Sequence, residues 1–391
     1  MPILGIRGTG NLATNERPQS WREGIIHIFP NGETPLMGLL GQMGSEVVSD
    51  YTFNWWDKSL PTRRIFINNA AGYSAAATSG VVDDGAGGSG SFNVKSGTVL
   101  MNERTFEKMI VAADPTTSTI QIDRGKGTTA AAAMLDNDAL LIIGSSYEDG
   151  STAKITAVQY DPTQRTNATQ IFDDSLSLSR RTMKTMLRTG DKYQETRRET
   201  LQIHLMGQEW SALFGEYLDE AGSVAAVRRT FTGGLYYWIS TNVHDAGGPV
   251  TYFELCDFLE QDFRYGSNEK LLLAGSTAIN ALNKLAKLEM SYQDVAGAES
   301  FGINVKELIS PFGTIYMVNH PLLSDNPTFR SWGFLVDMKF IIARTLDDTI
   351  LIENVEDNYV KRREDEFYTD IGWEVQVQQS HAIWKGITGA A

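Results

Sequence analysis

The stretch TGDKYQETRRETLQIHLMGQEWSALFGEYLDE, residues 189–220, is the clearest helix in the chain and sets how its surroundings are read. Thr189 or Asp191 can cap its start, and Glu195 and Glu199 lie toward its positive end. Tyr193, Thr200, Ile203, Trp210, Leu213, Phe214 and Tyr217 recur at intervals of three, four or seven and fall near one face. Arg197, Arg198, Gln202, Gln208 and Glu209 fall largely elsewhere. At 1.5 Å per residue the helix would run ~45 Å. A helix that long with one apolar stripe needs a sheet or a partner along most of its length.

Downstream, helices and strands alternate. Helices are expected over 251–264 and 276–290, the second opened by Ser276 or Thr277 with Ile279, Leu282, Leu285 and Ala286 inward. Strands are expected over 270–274, 302–308, 313–319, 333–343 and 349–355, with WEVQVQQ (373–379) the last. This order is that of an α+β domain with a core sheet.

Upstream, residues 166–180 read as a strand. Residues 1–28 are polar and glycine-rich and read as an extended arm. Thr34-Pro35 opens a short helix with Leu36, Leu39 and Leu40 on one side. Residues 45–68 read as strand, with Val48, Phe53 and Trp55 only loosely on one face. Residues 70–97, ending in GAGGSGS, read as a flexible loop. From 98 to 147, TVLM, KMIVAAD, STIQIDR and DALLIIG are four short strands; Ile120 and Ile122 alternate with polar neighbours, and Asp114-Pro115-Thr116-Thr117 is a turn. These residues suit a small inserted β unit, near the lower size limit for folding alone.

At 391 residues, with 42% hydrophobic and 21% charged, the chain is globular and longer than one small domain. Its net charge of −14 gives little attraction for phosphates. Such a charge keeps a protein soluble, and an acidic lining would also suit a container of nucleic acid. The lone cysteine, Cys256, makes no internal disulfide; Phe253, Leu255, Phe258 and Leu259 around it predict a buried, inert thiol. The start MPILGIRGTGNLATNERPQSW has no signal-peptide pattern, and no run approaches the ~20 apolar residues of a membrane helix, so the expectation is a cytosolic protein without a membrane partner.

No constellation of catalytic or metal-binding type emerges. His27, His204, His244, His320 and His381 have no metal-ligand spacing; His204 belongs to the long helix and His320, before Pro321, to a turn. Asp83-Asp84, Asp173-Asp174 and Asp347-Asp348 are adjacent pairs, which on a strand point to opposite faces and do not confront each other across a cleft. Asp136-Asn137-Asp138 lacks the glycine and distal glutamate of a calcium loop. Gly125-Lys126-Gly127 is not a phosphate loop, and no serine-elbow motif is present. No catalytic, cofactor or metal residue is therefore assigned. Trp55, Trp56, Trp210, Trp238, Trp332, Trp373 and Trp384 are spread through the expected elements and are read first as core and second as interface residues.

TPLMGLLG, YTFNWWDKSLP, RTNATQIFDDSLSLSRRT, TGDKYQETRRETLQIHLMGQEW, GGLYYWIST, NEKLLLAGSTAINALNKLA and FGINVKELISPFGTIYMVNHPLL follow one another in this order. By that order the chain resembles the phage capsid fold of the Hong Kong 97 type, in a major-head family with a β domain inserted in its E-loop. The resemblance covers most of the chain and rests on order and spacing. It implies an N-terminal arm (1–44), an E-loop (45–68 returning through 163–182), and a loop plus β domain (69–162, core 98–147). A spine helix with peripheral domain (183–248), an axial domain (249–345) and closing peripheral strands (346–391) would follow.

The resemblance further implies pentamers and hexamers of an icosahedral head enclosing double-stranded DNA, with portal, scaffolding and possible cement proteins as partners, no cofactor and no enzymatic activity. The protein would belong to the virion after assembly in the bacterial cytoplasm. Some members cross-link an E-loop lysine to an asparagine; Lys58 with Asn354 or Asn358 are the residues such a link would use. Others carry a cleaved scaffolding segment, for which the residues before the E-loop are too few. An encapsulin-like shell around a protein cargo is the alternative, and an enzyme with residues converging from afar is a third reading.

Overall fold

The computed structural model describes residues 36, 38, 45–58, 63–85, 88–150, 157–185, 190–224, 227–289, 292–294 and 305–390. The expected arm and nearly all of the short helix after Pro35 lie outside them. The chain divides into two compact units, one formed by residues up to Trp55 and from Arg165 onward, the other by Trp56–Gln164.

In the first unit the long helix α2 spans Lys192–Phe214, preceded by the short helix α1, Arg180–Lys184. Asp191 caps α2, accepting from the Tyr193 N–H at 2.9 Å. The helix stops earlier than residue 220 because the chain passes close to itself at Gly215. A Cβ there would lie 2.3 Å from the Thr232 carbonyl oxygen and 2.5 Å from that of Ser211. Residues expected as its last turn instead begin a hairpin of β11 (Leu218–Ala221) and β12 (Arg228–Phe231).

α2 lies on a four-stranded sheet of order β1 (Ser45–Val47), β19 (Ile341–Ile352), β20 (Arg362–Val375) and β10 (Gln170–Ser179). β1 runs parallel to β19, and the other pairs are antiparallel. β10 alternates: Phe172, Asp174, Leu176 and Leu178 are less accessible, Ile171, Asp173, Ser175 and Ser177 exposed. The strand is half-covered, with a period of two.

A second, seven-stranded sheet has the order β13 (Val243–Val250), β21 (Ala382–Ala390), β18 (Gly333–Val336), β14 (Glu269–Ala274), β17 (Thr314–Asn319), β16 (Val305–Ile309) and β15 (Tyr292–Asp294). β14 sends Leu273 into a core with Leu213, Phe334 and Trp373, and Leu272 into another with Leu255, Leu282 and Trp384. The second core is closed by α4 (Tyr252–Asp262) and α5 (Ser276–Glu289). A capping box starts α4: the Glu254 N–H donates to Thr251 Oγ1, and the Thr251 N–H donates to the Glu254 carboxylate. Short helices α3 (Leu235–Trp238) and α6 (Pro321–Asp325) and the pair β2 (Thr52–Asp57) with β9 (Thr163–Ala168) complete the unit's elements. In β2, Phe53 and Trp55 alternate inward.

Three readings of this region are corrected. The expected strand 333–343 is two strands, separated by the turn Met338–Phe340 that Asp337 caps through the Lys339 N–H. The expected strand 349–355 is the end of β19. WEVQVQQ is not the last strand; its first residues end β20, and β21 follows inside the seven-stranded sheet. Ala382, Ile383 and Trp384 are consecutive and all buried, so no alternation marks this strand in the sequence.

The second unit is a closed barrel of order β3 (Arg64–Ile67), β4 (Ser79–Asp83), β7 (Thr119–Lys126), β6 (Lys108–Ala113), β5 (Thr98–Asn102) and β8 (Ala139–Ser145). Every neighbouring pair is antiparallel. The four strands read in 98–147 are β5 to β8. Two more lie outside that stretch: the single strand expected over 45–68 is three, β1, β2 and the barrel's β3, and β4 falls in the expected loop 70–97. β3 and β4 each carry too few buried residues to show a period. Ile65, Val82, Leu100, Met109, Ile120 and Leu140 fill the interior. Closure leaves the barrel without a free edge.

Candidate functional site

The underside of α2 is polar. His204, Gln208 and Glu209 are buried with Ala212 and Leu213, whereas Ile203, read as part of the apolar stripe, is 57% exposed. The sequence pattern of α2 therefore misplaces its buried face by about one position. What holds the helix down is a set of directed bonds. His204 Nδ1 meets Asp174 Oδ2 at 2.8 Å and Nε2 meets Thr369 Oγ1 at 2.7 Å. The Tyr193 hydroxyl donates to Asp365 at 2.6 Å and accepts from Arg363, whose guanidinium lies 4.6 Å from the tyrosine ring. Burial opposes ionisation of Asp365, but Tyr193, the Asn354 N–H and Arg363 outweigh it and lower its pKa.

At the far end, Glu209 Oε1 meets His320 Nε2 at 2.7 Å and accepts from the Leu36 N–H at 2.9 Å. His320 stands at a turn as expected: it caps α6 through the Leu323 N–H.

The remaining sequence candidates also sit in local structure. His244 Nε2 and the Trp384 indole N–H reach the two oxygens of buried Asp262 at 2.8 Å each. Lys270, 1% exposed, donates to the carbonyls of Asp262, Tyr265 and Ser380, and burial lowers its pKa to about 8. His381 is buried, and its pKa falls to about 4. His27 lies outside the described residues. Asp83 and Asp84 shape a turn through the Gly85 and Gly88 N–H groups. Asp138 binds Arg104, which is the main reason that its pKa drops to about 2, and Asp136 caps Asn69. Cys256 is half-buried, not buried as expected, because Leu255 and Leu259 take the inward positions of α4. Trp55, Trp373 and Trp384 are core residues, and Trp56 is 63% exposed. Lys58, Asn354 and Asn358 are exposed.

In the barrel, Arg124 forms a bidentate pair with Glu107, which also accepts from the Gly125 and Ala132 N–H groups. Burial disfavours the ionised glutamate, but these donors outweigh it and lower its pKa. Among the described residues, no set of three or more His, Cys, Asp or Glu side chains is arranged to hold a metal ion, and no helix is long and apolar enough to cross a membrane.

What the molecule does offer is surface. Val47, Ile171, Ile350, Ile352, Phe253 and Tyr359 are between 40% and 103% exposed. Beside α2, Trp210, Phe214, Phe231 and Phe329 line an open hollow of about 460 Å³. Trp210, Phe214 and Phe329 stand against one another at this hollow, and a contiguous apolar patch of that kind is suited to contact with other chains.

A family model for the SU10 major capsid protein matches residues 6–388. The major capsid protein of Pseudomonas phage PaMx41 is 22% identical over 341 residues, which are 83% of this chain and 77% of that protein. Among solved structures, the capsid asymmetric unit of cyanophage A-1(L) is similar with a TM-score of 0.53 at 10% identity, over 96% of this chain and 98% of that one. At that identity the likeness is one of fold alone. The holo-SrpI encapsulin complex from Synechococcus elongatus PCC 7942 reaches a TM-score of 0.43 at 12% identity over 58% of this chain and 78% of that one, too little to argue from.

Proposed function

The chain belongs to the SU10 major capsid protein family, and from that premise we propose how this phage capsid protein builds its shell. It adopts the Hong Kong 97-type plan, with α2 as the spine helix, the four-stranded sheet as the peripheral domain and the seven-stranded sheet as the axial domain. Subunits gather into pentamers and hexamers of an icosahedral head that encloses double-stranded DNA. The β2–β9 pair belongs to the E-loop, and the barrel is a domain inserted in that loop that stands on the outside of the shell. Portal, scaffolding and cement proteins complete the head in the bacterial cytoplasm, and the protein itself carries out no reaction.

The observation that carries this reading is the match of the SU10 major capsid protein family model to residues 6–388. The aromatic hollow of Trp210, Phe214, Phe231 and Phe329 beside α2 gives subunits an apolar surface on which to associate. The net charge of −14 fits an interior that repels packaged DNA and leaves it mobile. No observation favours the alternative of an encapsulin-like shell with protein cargo.

The test is negative-stain electron microscopy with sizing of the purified chain, alone and then co-expressed with the other head proteins. Closed shells, tubes or rings are the expected products. A compact monomer under both conditions overturns the reading.

A further inference from the structure

On the outward face of the four-stranded sheet Arg344 pairs with Glu46 and Glu374, but Asp173, Asp347 and Asp370 form no ion pair among the described residues. The side-chain bonds that α2 makes to this sheet go to the opposite face, to Gln170, Asp174, Asp365 and Thr369. Cross-strand partners share a face. The register therefore sets Ile171 opposite Asp370 with Asp347 beyond it, and Asp173 opposite Tyr368 with Ile350 beyond it. Ser175, Glu366 and Ile352 form the next row. Ile171, Ile350 and Ile352 are 54%, 40% and 40% exposed. Along Arg362–Asp370 and its partners on this face the one cation is Arg362, which pairs with Glu364 at 2.7 Å.

Asp370 is the anomaly. It is 6% exposed, and its Oδ1 has no hydrogen-bond partner. Burial, and then the charge of Asp347, raise its pKa, while the nearby Thr169 hydroxyl favours the ionised form without completing a well-formed bond. A buried polar atom left without a partner costs about 1–3 kcal/mol.

The end of β10 carries the opposite sign. Arg180, Arg181 and Lys184 of α1 are exposed and form no ion pair among the described residues. Ser179 caps α1 through the Thr182 N–H at 3.2 Å, so the cations stand on a defined turn, and Met183 beside them is 41% exposed.

We propose that the acidic outward face around Asp173, Asp347 and Asp370 of one subunit receives the Arg180–Lys184 turn of a second copy of the chain. This contact rests on the shell reading and gives it a specific surface. Two acidic faces set against each other would repel. The head-to-tail arrangement pairs opposite charges, seats Met183 on the isoleucines, and lets each subunit give one surface and take the other. Contacts of that kind generate closed rings when the rotation between subunits closes.

The full chain is compared with Asp173→Lys, Arg181→Glu, the double variant, and Asp257→Lys, an exposed site on α4 that makes the same change in net charge as Asp173→Lys. Sedimentation velocity at low and high salt, with electron microscopy of the products, follows assembly, and thermal melts check each fold. The expected result is that the wild type and Asp257→Lys assemble alike. Each variant at the contact needs a roughly tenfold higher concentration, and the double variant recovers most of the loss. Single variants that assemble like the wild type, or a double variant no better than the singles, overturn the contact while the shell stands. A wild-type chain that stays monomeric, alone and with the other head proteins, overturns the shell reading and the contact with it.

Discussion

Glu209 and His320, 111 residues apart in sequence, meet at 2.7 Å with both side chains fully buried. Glu209 also accepts the Leu36 N–H, so one carboxylate ties together the entry of the chain, the long helix and the turn after β17. Glu209→Ala leaves two buried donors without an acceptor. The expected loss is about 3 kcal/mol, read as a lower denaturant midpoint. Glu209→Gln keeps an acceptor and should lose less.

The barrel should fail separately from the rest. Arg124 is 5% and Glu107 0% exposed, and two backbone N–H groups depend on the same glutamate. Arg124→Ala strands that carboxylate in the interior, at a cost of about 3 kcal/mol. Limited proteolysis should then cut within 56–164 at protease levels that leave the other unit whole. Equal loss of both units would refute their independence.

Acid should weaken the seven-stranded sheet before it reaches most carboxylates. The folded pKa of His381 is about 4, below the ordinary 6.5. The unfolded chain therefore binds the proton first, and stability present above pH ~6.5 is lost as the pH falls through 4. His381 accepts the Asp337 N–H and donates to the Gln376 carbonyl. His381→Gln should flatten the pH dependence of the melting temperature between 6.5 and 4. An unchanged slope would place the effect elsewhere.

Lys270 follows the same sign at the other end of the scale. Its pKa of about 8 lies below the ordinary 10.5. Its contribution to stability increases as the pH rises from 8 toward 10.5. Lys270→Met should remove that rise from denaturation curves recorded over this window.

Gly215 carries a purely steric demand, since its φ of −56° suits any residue. Gly215→Ala should cost about 1–3 kcal/mol by forcing the Thr232 and Ser211 carbonyls apart, and circular dichroism should show the end of α2 fraying.

The sequence made the helices legible where an apolar period or a cap marked them: α4 through Thr251 and Glu254, α2 through Asp191. Strands β5 to β8 showed through their apolar alternation and turns. The misreadings share a physical origin. β21 is buried on both faces and so has no alternation, and β3 and β4 are too short to show a period. The end of α2 was invisible because the obstruction at Gly215 includes a carbonyl from Thr232, distant in sequence. The buried face of α2 was misjudged because His204 and Glu209 are held by bonds to Asp174 and His320, which no helical periodicity foretells. The acidic outward face needed the register of three strands; Asp173 and Asp347 were visible as members of pairs, but nothing local set them beside Asp370.

The placing of β21 between β13 and β18 also governs timing. On the ribosome, β13 emerges well before the strand that will lie beside it. At ~5–20 residues per second, the wait is on the order of ten to thirty seconds. Until then the sheet has an open slot, and Val250 and Leu335 lack the Trp384 side that completes their core. The two-sided core of this sheet is therefore complete only once residues 382–390 have joined strands that were made long before them.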